Sequence, residues 1–229
     1  MSSLNKKDTE GGFSLLELVV ALVITMALMT AAATLLANAL RMRTRENQKS
    51  DALADTQRAI NIMSREIANT GFNMTNNGIV AADSGLNSIR IRANLNKFED
   101  EGVVSAESQA NVQDAGEDIT YFINEAANTK YLARHDRFGN GSTVLANRID
   151  SMNIHYFAEK VTYTAPQAGS DITDVSLAEV APANARYIVI AVSVTLDQVG
   201  TPGSPGYQPA YSVLICSDVA LRNSGLWSY

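Results

Sequence analysis

The chain has 229 residues, a formal net charge of -6 and a sequence pI near 4.9. That length suits one membrane segment and one soluble domain of ordinary size, and the acidic balance offers no basic patch for a nucleic-acid partner. Cys216 is its single cysteine, so no intrachain disulfide is available and the soluble part must be held by its core.

Residues 1–12 are polar and their side-chain charges cancel, with Lys6 and Lys7 against Asp8 and Glu10. A Gly11-Gly12 pair follows, and then residues 13–40 form an apolar or small-residue run whose one ionisable side chain is Glu17. As a helix at ~1.5 Å per residue the run exceeds the ~30 Å hydrocarbon core of a bilayer. It is too long for the apolar region of a secretory signal, and its small residues precede it instead of following it. Cleavage at the glycine pair would therefore leave the hydrophobic helix on the mature chain. A carboxylate inside a bilayer costs something like 2.5–3.5 kcal/mol at a helix centre, and less near the interface, so Glu17 needs a partner. An α-amine created before Phe13 would lie one turn away, and the helix N-terminus favours the same anion.

The order KKDTEGGFSLLELVVALVI (residues 6–24) resembles the start of a type IV pilin or pseudopilin precursor. The resemblance implies that prepilin peptidase cuts between Gly12 and Phe13 and methylates Phe13, and that Glu17 is the family's fifth-position glutamate, an assembly contact for a neighbouring subunit's N-terminus. It also implies a bacterial inner-membrane protein with one pass, the leader cytoplasmic and the head exported to the periplasm, later placed in a filament at the cell surface. Other pilin subunits, major and minor, the prepilin peptidase, the inner-membrane pilus assembly platform and the membrane are then the partners. The positive-inside rule by itself argues the opposite orientation, because Arg41, Arg43 and Arg45 flank the far end.

Between Phe13 and Thr70 there is neither Gly nor Pro, which permits one helix over residues 13–70 that Gly71 stops. Within residues 41–70, Leu53, Ile60, Met63 and Ile67 recur at helical spacing with Arg58, Asn61, Arg65 and Glu66 between them, an amphipathic continuation that packs on the protein's own head. AINIMSREIANTGF (residues 59–72) is similar to the end of the spine helix in minor pilins of the PilW type and the related GspJ-type minor pseudopilins. Many major pilins carry a proline near the position of Thr34. Its absence here points away from the bulk filament subunit.

Residues 71–229 change from helical to alternating patterns. Strands are expected at 88–95, 118–124, 130–134, 152–157, 186–196 and 211–221, with 186–196 (RYIVIAVSVTL) central because it is the most β-branched. Residues 139–141 (GNG) read as a turn, and 99–118, 166–174 and the Pro/Gly-rich 200–209 as loops. Strands without intervening helices imply an antiparallel sheet on the amphipathic helix, an α+β class. The segments ITYFIN, YLARHDR, VLANRIDSMNIHYF, ARYIVIAVSVTL and SDVALRN follow the order found in PilW-type minor pilins, so the resemblance covers most of the chain. It implies a minor pilin that primes or joins the filament and supports pilus assembly. The alternatives are a minor pseudopilin of a type II secretion system, or a tip-located adhesin or receptor reading a ligand with the head loops.

The head shows no nucleophile elbow, phosphate loop or dinucleotide fingerprint, so no catalysis and no cofactor are expected. His155 reads as a partly packed strand residue, and His135, in RHDR, as part of a solvated charge cluster entering a turn. Neither has a Cys or a second His at ligand spacing, so no metal is expected. Asp114, Glu117 and Asp118 could offer oxygens to Ca²⁺, joined by Asp171 and Asp174 only if the loops meet. The spacing does not fit an EF-hand, and a solvated acidic loop is the expectation. Cys216 reads as a small buried strand residue, and Trp227 and Tyr229 as an aromatic tail that docks on the head or on a neighbour.

Overall fold

The computed structural model describes residues 14–95, 112–126, 129–139, 141–166, 169–196, 198–203 and 206–224. One helix, α1 (Leu15–Ala68), runs for 54 residues, ~81 Å. It starts where the sequence supplies a capping box. The Ser14 hydroxyl accepts from the Leu16 N–H at 3.3 Å, and the Glu17 carboxylate accepts from the Ser14 N–H at 3.3 Å. Hydroxyls along the apolar half are satisfied within the helix itself, as Thr30 donates to the Met26 carbonyl and Thr34 to that of Ala31, both at 2.8 Å. A helix in lipid requires that economy.

The head contains two antiparallel sheets where the alternation suggested one. The first is a meander of β1 (Ser88–Arg92), β2 (Asp118–Ala126), β3 (Thr129–Asp136) and β4 (Gly141–Asn147); the second is a meander of β5 (Ile149–Phe157), β6 (Tyr187–Leu196) and β7 (Tyr211–Ala220). The α+β class stands, with α1 packed against β4, β6 and β7. Strand β4 has no counterpart in the sequence reading. Its Ser142, Thr143 and Val144 are exposed and only Ala146 is fully buried, so it shows no alternation to find.

The main core joins α1 to both sheets. Ala59, Ile60, Met63 and Ile67 meet Ile89, Tyr121 and Leu132 of the first sheet and Met152, Ile154, Ile188 and Ile190 of the second. Each large aliphatic among them contributes roughly 1.5–3 kcal/mol of burial. Leu53 is only half-buried; Ala52 and Thr56 occupy the contact face in its place, small enough to let the head approach the helix. Strand β6 is central and almost continuously buried because the connection after β5 folds over the outer face of the second sheet. There Phe157, Val161, Ile172, Tyr187, Val189 and Ala191 form a second cluster.

Candidate assembly helix and helix–head junction

Residues 15–37 of α1 are exposed throughout and pack on none of the described residues of the head. Large apolar side chains from Leu15 to Met42 are exposed, and none of its most apolar 18-residue window is buried. An apolar surface that long far exceeds what a soluble monomer leaves in water. Its length and composition suit a membrane span. Glu17 projects from its first turn, where its carboxylate caps its own helix. Gly12 and Phe13 lie outside the described residues, as do Trp227 and Tyr229.

The head first reaches the helix at the end of this apolar half. Residues 198–203 and 206–209 belong to a strap closed by paired 2.9 Å bonds between the backbones of Val199 and Gln208. Gly206, at φ 80°, passes so close to the helix that a Cβ there would lie 2.7 Å from the Asn38 Oδ1. Seven residues on, Arg45 donates from Nη1 to the Gln208 carbonyl at 3.1 Å and from Nη2 to that of Pro209. Lys49 lies 4.3 Å over the Tyr211 ring. Arg45 is 93 % buried, by subtraction from its 7 % exposure, so it is a structural clasp. Of the three arginines flanking the span, Arg41 and Arg43 are exposed and Arg45 is buried in the clasp; the flank still argues, by charge count, against export of the head.

At the other end, the last turn of α1 is held by the closing element of the chain. The Arg222 N–H donates to the Ala68 carbonyl at 3.0 Å, and the Asn223 side chain donates to those of Asn69 and Thr70 at 3.1 and 3.2 Å. These are carbonyls that a helix end leaves without an intrahelical donor. The helix consequently stops at Ala68, two residues before the expected Thr70. Glu66 does not lie on a solvated face. It accepts from Arg134 Nε at 3.0 Å and from the Tyr121 hydroxyl, tying α1 to the first sheet. Burial, reinforced by Glu66, pushes the Tyr121 phenol well above its ordinary value.

The end of the acidic segment, at Glu117 and Asp118, is likewise structural. Residues 96–111 lie outside the described residues, but Glu117 and Asp118 are buried, contrary to the solvated loop expected of them. Arg90 grips Asp118 with two 2.7 Å bonds and Arg92 Nε adds a third at 3.0 Å, while Glu117 accepts from the Leu95 and Asp114 N–H groups at 2.6 and 3.1 Å. Burial by itself would raise the Asp118 carboxyl, yet its bonds and charge interactions with Arg90 and Arg92 outweigh that and hold it below the usual range. These oxygens are committed to arginines and amides, and Asp171 is bound elsewhere to His155. Among the described residues no group of three His, Cys, Asp or Glu side chains is placed to hold a metal ion.

His155 is buried under the cover of the second sheet, with Nε2 2.7 Å from Asp171 and Nδ1 2.8 Å from Glu179. Desolvation lowers its pKa, but hydrogen bonds to Glu179 and Asp171 win and raise it above the ordinary value. His135 lies in β3, half-buried, with Nδ1 3.0 Å from the Ser142 hydroxyl. Of its neighbours in RHDR, Arg137 is exposed as expected, but Arg134 binds Glu66, and Asp136 is buried, accepting from the Gly116 and Gly139 N–H groups at 2.8 and 3.0 Å. Cys216 is half-buried, and burial with Asp218 nearby pushes its thiol up to about 11, which favours the thiol over the thiolate. Sequence spacing gave no means of finding the His155, Glu66 or Arg45 contacts, because their partners lie 16 to 164 positions away.

Residues 7–33 match the family described as the prokaryotic N-terminal methylation motif. The chain thus carries the N-terminal signature of pilin-type precursors. That signature fits a type IV pilin or pseudopilin, implies processing by prepilin peptidase and assembly with other pilin subunits, and agrees with an apolar helix that anchors the chain in a membrane. No curated protein and no solved structure matches the chain.

Proposed function

We propose that the chain is a minor subunit of a type IV pilus, cut between Gly12 and Phe13, methylated on Phe13, and held in the inner membrane with its head exported until it joins or primes a filament. Its work is structural, and it catalyses nothing. The observation that carries this reading is the division of α1. The head clamps the second half at both ends, while the first half keeps a continuous apolar surface interrupted by one carboxylate. In the membrane that surface faces lipid. In a filament it faces the equivalent helices of other subunits. Glu17 accepts the N-terminal amine of a neighbour, exchanging its local capping bond for an ion pair in a low-dielectric core. Glu17→Leu is expected to leave membrane insertion and head folding unchanged and to abolish recovery of the chain in sheared pili. Recovery at the wild-type level would refute the assembly role of Glu17. Intact-mass measurement of the membrane-extracted protein should show loss of residues 1–12 and gain of one methyl group. Loss of piliation with protein secretion intact, on deletion of the chain, separates a pilus subunit from a type II secretion pseudopilin.

A further inference from the structure

The connection from β5 to β6 folds over the outer face of the second sheet, and its residues 162–166 and 169–176 belong to a hairpin. Thr164 and Thr173 exchange backbone bonds of 2.7 and 2.9 Å, and the Ser176 N–H donates to the Thr162 carbonyl at 2.9 Å. Val161 and Ile172 pack with Phe157, Val189 and Ala191 beneath it, and the half-buried Cys216 borders the same cluster. Side chains of the sheet tie the connection down. Asn153 donates from Nδ2 to the Ser170 carbonyl at 3.0 Å, and Asp218 accepts from the Tyr163 hydroxyl. His155 reaches Asp171 from Nε2 at 2.7 Å and Glu179 from Nδ1 at 2.8 Å. Of these ties only the imidazole changes charge near neutral pH.

Both ring nitrogens of His155 face carboxylate oxygens, and one protonation state satisfies that arrangement. Imidazolium donates from both nitrogens, whereas neutral imidazole donates from one and presents a lone pair from the other. A lone pair held 2.7–2.8 Å from a carboxylate oxygen is repelled, so one contact must then open. The His155 side chain is 8 % exposed, and water cannot replace the lost partner without movement of the connection. Glu179 is 51 % exposed and Asp171 34 %, so either carboxylate can turn to solvent. Neither has a Lys or Arg partner among the described residues, and the imidazolium is what neutralises them. The other titratable groups of this region are neutral or acidic: Tyr156 on β5, Tyr163 on the connection, and Cys216 and Asp218 on β7. The residue paired with His155 on β6 is the apolar Val189.

We infer that His155 is a proton-operated latch: as imidazolium it clamps Asp171 and Glu179 and closes the hairpin over the second sheet, and loss of one proton releases it. The latch is fully closed below the ordinary imidazole value of about 6.5 and opens as pH rises through the folded value, which is raised. Opening uncovers the apolar outer face around Val189 and Ala191. The inference needs neither the membrane nor the filament reading. Amide hydrogen exchange of the full chain in detergent micelles, corrected for the intrinsic effect of pH, reads the opening at Ile172 and Val180. Their N–H groups donate to the Asp171 carboxylate and to the Tyr156 carbonyl. Exchange there should be about 10-fold faster at mildly alkaline than at mildly acidic pH, as expected for loss of one charge-assisted bond, while Tyr121 in the main core keeps its rate. His155→Gln should exchange fast at both pH values. Glu179→Gln should stay closed at both, because its amide donates to Nδ1 of a neutral imidazole while Nε2–H still serves Asp171. A histidine acting only through packing would not give that opposite pair. At one mildly acidic pH, labelling of Cys216, the chain's single thiol, should be faster in His155→Gln than in wild type. Should His155→Gln lose protection at Tyr121 as well, the wild-type comparison and Glu179→Gln decide alone. Equal wild-type exchange at the two pH values overturns the inference, as does Glu179→Gln exchanging as fast as wild type in alkali, or unchanged Cys216 labelling in a folded His155→Gln.

Discussion

Replacing Asp118 by alanine removes the carboxylate that joins β1 to β2 beneath the end of α1. Its side chain is 1 % exposed and that of Arg90 11 %, so the substitution leaves a guanidinium in a poorly hydrated site. Breaking such a pair from one side costs about 3–5 kcal/mol. Asp83 still bonds Arg90 at 2.5 Å, but its side chain is 49 % exposed, and a pair of that kind returns roughly 0–1 kcal/mol. The expected net loss is therefore about 2–5 kcal/mol, a fall in melting temperature on the order of 6–15 °C for a chain of this size. Near-ultraviolet circular dichroism of the full chain in detergent micelles at pH 7 reads it directly. The sign of the pH dependence is fixed as well. Because the folded carboxyl titrates below its ordinary value of about 3.9, its contribution is present above that value and is lost as pH falls through the folded pKa. The gap between wild type and variant should thus be full at neutral pH and close in acid. Combining Asp118→Leu with Arg90→Leu should cost less than the sum of the two single changes, since neither charge is then left unpaired. A fall under about 2 °C, or additive single effects, would refute the assignment of Asp118 as a buried ion-pair centre.

Gly78→Ala should destabilise by about 3 kcal/mol or more: the residue sits at φ 75° and a Cβ would lie 2.3 Å from the Arg92 carbonyl oxygen, and thermal unfolding checks it. Asn223→Ala removes two donors to the end of α1 and should cost about 1–2 kcal/mol, with hydrogen exchange accelerating first at residues 66–72. His155, with its folded pKa raised, stabilises the cover of the second sheet fully below its ordinary pKa of about 6.5, and that contribution is lost as pH rises through the folded value. Melting temperatures between mildly acidic and mildly alkaline pH should therefore fall in wild type and flatten in His155→Gln.

What the sequence disclosed, it disclosed through local pattern. The long helix was legible because neither Gly nor Pro interrupts residues 13–70, and β6 because β-branched residues crowd residues 188–195. The capping box is also local, a serine at position 14 followed three residues later by Glu17. The second sheet was not separable from the first, because each strand alternates in the same way and nothing local records which strand it pairs with. Charged residues were the hardest to read. Glu66, Asp118, Arg45 and Asp136 look like solvent-facing charges in one dimension and are buried or partnered only because distant segments meet them. Leu53 failed for the opposite reason, since its spacing was right but the tight approach of the head selected Ala52 and Thr56.

The two clamps on α1 explain how one helix can serve two solvents. Arg45 fixes the strap at the base of the head, and Arg222 and Asn223 fix residues 68–70 at its top, so the head grips about 25 residues, or ~37 Å, of helix. Below Asn38 the described head residues make no hydrogen bond to the helix. Among the described residues no head packing rests on residues 15–37, so the proposed exchange of lipid for neighbouring helices would leave that packing unchanged. For the proposed insertion into a filament, the free-energy balance would fall on the apolar surface and on Glu17, whose capping bond from Ser14 is local, exposed and worth about 1 kcal/mol. An ion pair with an incoming amine in an apolar surrounding is stronger than that bond. In the proposed assembly, Glu17 would therefore serve the monomer as a cap and the filament as the acceptor of a partner's amine.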